Sequence, residues 1–190
     1  MMIRATKNDK DLIVRILSRS FDANQSVNYI VRQDNKRKER IAKLMSYSFE
    51  ICSLFGDVWL SEDKSACALV LYPQNKRTTL KSIILDIKLI WQVIGIGNII
   101  KTLNRESSIK AKQPKQPMAY VWFIGVNPEF QHQGKGSRLL RDLLADAREK
   151  DLPVFLETST VRNLPWYESY NFKIYDQLDL TYKLFFLKQS

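Results

Sequence analysis

The sequence predicts an α/β protein built on a mixed sheet of six to seven strands, and three observations predict it. First, an apolar run "AYVWFIGV" (119–126), a leucine-rich stretch (137–150) and a second run "PVFLETS" (153–159) follow one another with short joints. Strand, helix and strand joined so closely make a βαβ unit, with its two strands parallel. Second, "DVWLSE" and "SACALVLYP" flank the polar pair Asp63-Lys64, which reads as an antiparallel hairpin. Third, 190 residues at 45% apolar and 11% aromatic content can bury a real core, which excludes a disordered or fibrous chain. One domain over residues 1–190 is the expectation.

The elements follow in order. "MIRAT" (2–6) is expected as a first strand, and Asn8 as the cap of a helix in which Leu12, Ile13, Ile16, Leu17 and Phe21 recur at helical spacing. "NQSVNYIVR" and "NKRKERIAKLMSYSFEICSLFG" read as further helix, stopped by Gly56. The run at 119–126 is apolar almost throughout, as suits a strand covered on both faces. After it, Leu139, Leu140, Leu143, Leu144 and Ala147 share one helix face, and Arg141, Asp142, Asp146 and Glu149 the other. "NFKIYDQLDLTYKLFFLKQS" closes the chain as two more strands, joined near Gln177.

Cys52 and Cys67 stand in no metal-type spacing, so two buried structural thiols and a reduced, cytoplasmic setting are expected, with no metal. The first twenty residues lack the apolar core of a signal peptide. The net charge of +10 is uneven: residues 74–117 hold nine basic and two acidic side chains, whereas residues 118–190 hold nine of each. Such a segment suits nucleic acid, an acidic membrane surface, an anionic ligand or simply a solvated basic face. Nucleic acid is set aside, because the segment lacks interleaved aromatics or a recognisable module.

Within that segment Ile84, Ile87, Trp91 and Ile94 keep helical spacing, and Gly95 and Gly97 mark a break between two helices. Lys101 to Lys115 reads as a basic, mobile loop. The apolar run from Leu89 to Ile100 is too short to span a bilayer, so no transmembrane segment is expected. A lid that packs on the core is preferred over a membrane-surface helix.

The stretch "VNPEFQHQGKGSRLL" (126–140) puts glycines at the mouth of a helix. Amides there lack helical partners and carry the positive dipole end, so a phosphate is the natural guest; a glycine turn made for geometry alone is the plain alternative. Neither G-x-x-x-x-G-K-[ST] nor G-x-G-x-x-G is present. Val126, Pro128, Gln131, Gly134 and Gly136 do form V-x-P followed by Q-x-x-G-x-G. This resembles the acetyl-CoA signature of the GCN5-related N-acetyltransferase (GNAT) family. "LETSTVRNLPWYESYNF" (156–172) resembles that family's later segment, an acidic strand end, an asparagine, then Y-E-x-x-G-F.

The resemblance implies about four flanking helices, a sheet splayed between the fourth and fifth strands, and a helical insertion (74–117) before the fourth. It implies direct acetyl transfer from acetyl-CoA to the primary amine of a small-molecule acceptor. Main-chain groups of Ile124, Gly125 and Val126 would pair with the pantetheine arm. The turn of His132, Gln133, Gly134, Lys135, Gly136 and Ser137 would hold the pyrophosphate, the sole histidine lending its amide and not acting as a base. Tyr167 is the implied general acid, with Tyr170 as the fallback. For Glu157, general base stands beside structural carboxylate or substrate anchor, and a water relay is a further route. Asn163 belongs to the cofactor side, although it precedes Tyr167 by only four residues where seven is commoner. Asn171 replaces the usual glycine and tolerates a left-handed backbone. The insertion, with Trp91, is expected to edge the acceptor pocket. Relatives commonly form homodimers. A non-catalytic acetyl-CoA-binding module is the alternative function.

Overall fold

The computed structural model describes residues 1–190 and shows one open, seven-stranded sheet in the order β1-β2-β3-β4-β5-β7-β6. The strands are β1 (Met2–Arg4), β2 (Gly56–Ser61), β3 (Ala66–Leu71), β4 (Ala119–Val126), β5 (Val154–Thr158), β6 (Phe172–Asp179) and β7 (Lys183–Gln189). Seven α-helices accompany them: α1 (Lys10–Ser20), α2 (Gln25–Ile30), α3 (Arg37–Phe55), α4 (Leu80–Leu89), α5 (Ile99–Lys112), α6 (Lys135–Glu149) and α7 (Leu164–Glu168). Only β4 and β5 run parallel, joined through α6; every other neighbouring pair is antiparallel.

Period-two alternation sorts the strands between two cores. On β3, Cys67, Leu69 and Leu71 face the core made with α1 and α3, and Ala66, Ala68 and Val70 face the one made with α6. All six are buried, which is why this strand reads as a continuous apolar run. On β4 the alternation slips. Leu69 pairs with Phe123 but Val70 with Val121, so Trp122 is an extra, bulged residue. The slip places Gly125 beneath α1, where an added Cβ would meet Leu17 Cδ2 at 2.9 Å and Ser20 Oγ at 3.2 Å. Close approach, not backbone conformation, is what requires glycine there.

Just past the bulge the sheet divides. Pairing of β4 with β5 stops at Val121 and Leu156, yet β4 stays on β3 as far as Val126 and β5 stays on β7 as far as Thr158. A V-shaped notch opens between them, at the position the sequence motifs imply.

Several local expectations are corrected. Thr6, not Asn8, precedes the first helical turn, with the Asp9 carboxylate accepting from its N–H at 3.0 Å and its Oγ at 2.8 Å. Gly56 does end α3, but with an extended φ of −166° and no left-handed cap; a Cβ would lie 2.0 Å from the Val70 carbonyl oxygen, so β2 needs glycine to lie against β3. The Lys101–Lys115 loop is mostly helix: Thr102, Arg105 and Ile109 recur at helical spacing and are buried, which orders α5 despite its charge. The closing strands turn after Asp179 and not near Gln177, because pairing continues to Asp179 opposite Lys183. Cys52 and Cys67 are unpaired and fully buried, and burial pushes both thiols up.

Candidate active site

The notch leaves one side of β4 beyond Val121 without a partner strand, so Ile124, Gly125 and Val126 lie along an open edge. The carbonyl of Val126 is held from outside the sheet, accepting from Ser20 Oγ at 2.7 Å and Gln131 Nε2 at 3.3 Å. The glycine turn follows directly. His132 and Gly134 take left-handed conformations (φ 60° and 73°), and the first helical bond runs from the Arg138 N–H to the Gly134 carbonyl at 2.9 Å. The amides of Lys135, Gly136 and Ser137 precede that bond and sit at the positive end of a fifteen-residue helix. A Cβ on Gly136 would come 3.3 Å from Val126 Cγ2 and 3.8 Å from Trp166 Cζ2, filling the space between turn and strand.

The side chains of the turn are less free than its backbone. The His132 side chain is exposed. Lys135 forms an ion pair with Asp63 of the β2–β3 turn, and that lysine, helped by Ser65 and Ser61, holds the Asp63 carboxyl well below its ordinary range. Ser137 Oγ accepts from Trp166 Nε1 at 3.0 Å, tying the start of α6 to α7.

Helix α7 is short, with Pro165 in its first turn and half-buried Asn163 at its start. Tyr167 is buried, its ring 4.7 Å from Trp166 and 5.7 Å from Phe172, and burial pushes its hydroxyl up, which keeps the proton on. Tyr170 is only partly buried, 5.9 Å from the Trp166 ring. Asn171 adopts φ 62°, the left-handed conformation usually filled by glycine.

Glu157 belongs to a different group, since Phe155 and Glu157 point to the α1–α3 face of β5 and Tyr167 packs on the other face. Burial lifts its pKa to about 7, against the lowering pull of the Gln113 hydrogen bond (2.9 Å), the Arg105 charge and Tyr120. Arg105 is itself buried, donating through Nε to the Tyr182 hydroxyl at 3.0 Å and pairing with Glu106 and Ser26. Tyr120 lies under this cluster, its hydroxyl pushed up by burial and by Glu157. Arg105 and Gln113 come from the insertion, whereas exposed Trp91 takes no part in the cluster.

The sequence-predicted residues thus fall into two groups. The glycine turn and β4 edge lie at the notch, Asn163 and Tyr167 stand on α7, which Trp166 ties to that turn on the α6 side, and Glu157 faces α5 on the other. Sequence reasoning missed Ser20, Trp166, Arg105, Gln113, Tyr120 and Tyr182. The i, i+3, i+7 spacing of Thr102, Arg105 and Ile109 was the one signal that marked Arg105 as inward-facing.

A mixed sheet notched at its parallel pair, with an amide-bearing glycine turn at the mouth, is the splayed-sheet arrangement that the two motifs imply. The family model for GNAT acetyltransferases matches residues 48–172, and the chain belongs to that family. Among solved structures it is similar to the histone acetyltransferase HPA2 and related acetyltransferase of Corynebacterium glutamicum (17% identity, covering 100% of this chain and 95% of that one, TM-score 0.70). It is also similar to arylalkylamine N-acetyltransferase 2 of Aedes aegypti (14% identity, 100% and 97%, TM-score 0.68). The C-terminal condensation domain of Ebony, solved with beta-alanyl-dopamine, matches at 9% identity, 100% and 97% coverage and TM-score 0.66. At such identities the similarity is one of fold. The family generally uses acetyl-CoA, and the unpaired edge of β4 and the space kept clear by Gly136 suit an extended, pyrophosphate-bearing molecule.

Proposed function

We propose that the chain is an N-acetyltransferase that moves an acetyl group from acetyl-CoA directly to the primary amine of a small molecule. One observation carries this reading. Pairing of β4 with β5 ends after three residue pairs, and the free amides of Lys135, Gly136 and Ser137 stand at the mouth of the resulting gap.

Acetyl-CoA, when bound, supplies the acetyl group already activated as a thioester. The amides from His132 to Ser137, Gln133 included, would take its pyrophosphate, and the main chain of Ile124, Gly125 and Val126 its pantetheine arm. Asn163 would border the arm where α7 begins. Glu157, poised near neutrality, takes the proton that the acceptor ammonium must lose. The amine nitrogen bonds to the acetyl carbon as the carbon–sulfur bond breaks. Tyr167, kept protonated by burial, gives its proton to the departing sulfur, and the phenolate so formed takes back the second proton that the nitrogen sheds as it becomes an amide.

The surroundings of Glu157 support an amine acceptor. Tyr120, through its hydroxyl, and Tyr175 lie near the carboxylate, so an acceptor amine would meet one negative group among aromatic side chains. The Aedes aegypti relative, by its name, acetylates arylalkylamines, which supports an acceptor of that size.

The test is a panel of amines incubated with acetyl-CoA and followed by free-thiol release. Thiol appearing in step with one acetylated amine supports the proposal. Acetyl-CoA that stabilises the fold while no amine releases thiol would overturn it in favour of a non-catalytic binding module.

A further inference from the structure

The outer face of the insertion between β3 and β4 has no role in the notch, yet the insertion holds eight of the fifteen large apolar residues that the fold leaves exposed. Its two arms, Leu80–Ile94 and Ile96–Lys112, meet at a bend of 100°. On the first arm Leu80, Ile84, Ile87 and Trp91 recur at spacings of four, three and four, so they share one face. Leu85, Leu89 and Val93 on the opposite face pack into the core with α3. The stripe resumes past the bend at Ile96, Ile100 and Leu103. These seven residues are 44–76% exposed, and a series of exposed large apolar residues marks an interaction surface where scattered single ones do not.

The charge around the stripe is of one sign. Its two carboxylates are engaged, Asp86 with the Tyr47 hydroxyl at 2.7 Å and Glu106 with Arg105. Lys81 pairs with Glu50 and Lys112 with Asp176, each at 2.8 Å. Lys76, Arg77, Lys88, Lys110 and Lys115 form no ion pair. Helical spacing puts Lys88 at the edge of the stripe and Lys110 on the same face as Ile100 and Leu103.

We propose that this face docks in the plane of an anionic lipid surface, its apolar stripe in the headgroup–acyl boundary and its free lysines against the headgroups. No single helix is long and apolar enough to cross a bilayer, and exposed apolar residues stand on both arms of the 100° bend, alongside the free lysines. Exposed Trp91 suits the headgroup level, where an amphipathic ring is at home. A second copy of the chain is the poorer occupant. A two-fold interface sets a patch against itself, which would bring these unpaired cations together with no carboxylate to meet them.

Co-sedimentation of the full chain with phosphatidylcholine vesicles, with and without one part in three phosphatidylglycerol, tests the proposal. Binding to the anionic vesicles alone, weakened by half-molar salt, is expected. Lys88→Gln with Lys110→Gln should lower partitioning roughly twenty-five-fold, at about fivefold per lysine. Ile84→Glu with Ile87→Glu should abolish it with the circular-dichroism melt unchanged, because both positions are already exposed. No sedimentation with anionic vesicles overturns the proposal. So does equal binding to both vesicle types, or a dimer in light scattering that the glutamate pair splits, which would make this face an interface between copies.

Discussion

Replacing Glu157 with Gln separates the catalytic reading of this carboxyl from a merely structural one, because the two readings predict opposite signs. Burial raises the folded pKa from 4.5 to about 7. The native state then binds more protons than the unfolded chain in that window. Its stabilising contribution is complete below the unfolded value of 4.5 and is lost as pH rises through about 7. Between about pH 5 and about pH 8 the loss is roughly 2.5 kcal/mol, at ~1.4 kcal/mol per pKa unit. Glu157→Gln carries no titrating group, so all other pH effects cancel when its Tm is subtracted from that of the parent. That difference should move by roughly 5–10 °C in favour of the variant from the lower to the higher pH, for a chain of this size. Activity should go the other way. With acetyl-CoA saturating, the parent's kcat/KM should rise about tenfold per pH unit below neutrality and level off above it, and the variant should fall by ~10²–10⁴-fold and lose that limb. Paired melts at the two pH values and a free-thiol assay measure both. A Tm difference that is constant with pH, or a variant less stable at the higher pH, would refute the argument. It would show that Gln113 and Arg105 hold the carboxylate charged and that burial does not dominate.

Other expectations concern the opposite side of the notch and its floor. Tyr167→Phe should slow turnover by ~10²-fold or more while leaving the acetyl-CoA-induced rise in Tm intact, and Tyr170→Phe should do neither; the reverse pattern would move the acid to Tyr170. Acetyl-CoA at about 100 times its Kd should stabilise the protein by ~2.7 kcal/mol, read as a Tm increase of roughly 5–10 °C. Gly125→Ala should cost about 1–3 kcal/mol in a denaturant melt, because its Cβ would press on Leu17 and on the Ser20 hydroxyl that holds Val126. Gly136→Val should weaken acetyl-CoA binding more than it changes Tm, since its branches would occupy the space between Val126 and Trp166.

The parts legible in the sequence were those set by local rules. The βαβ unit showed through because a buried strand and a one-sided helix have different periods, and the hairpin through the polar pair Asp63-Lys64; the positive φ of 56° at Lys64 was not marked there. The motif spacing placed the glycine turn at the start of α6, and Asn171 adopts the left-handed backbone for which it was marked. Other residues carried no such mark. Arg105 and Gln113 lie in a segment whose charge resembles a solvated loop; what orders it is burial of Thr102, Arg105 and Ile109 against the rest of the fold. Gly56 and Gly125 look like ordinary glycines, and their constraint comes from strands and helices remote in sequence.

The sequence by itself determined the family, the mixed sheet and the residues of the glycine turn, because periodicity, turn chemistry and motif spacing are properties of neighbours along the chain. Only the tertiary structure decided the electrostatic character of Glu157, which depends on water excluded by α5 and on a guanidinium 52 residues away. It alone also set Lys135 against Asp63, and left the insertion's apolar stripe facing outward when its spacing suited burial equally well. Each of these depends on what stands across space from a side chain, and desolvation and pairing are decided there.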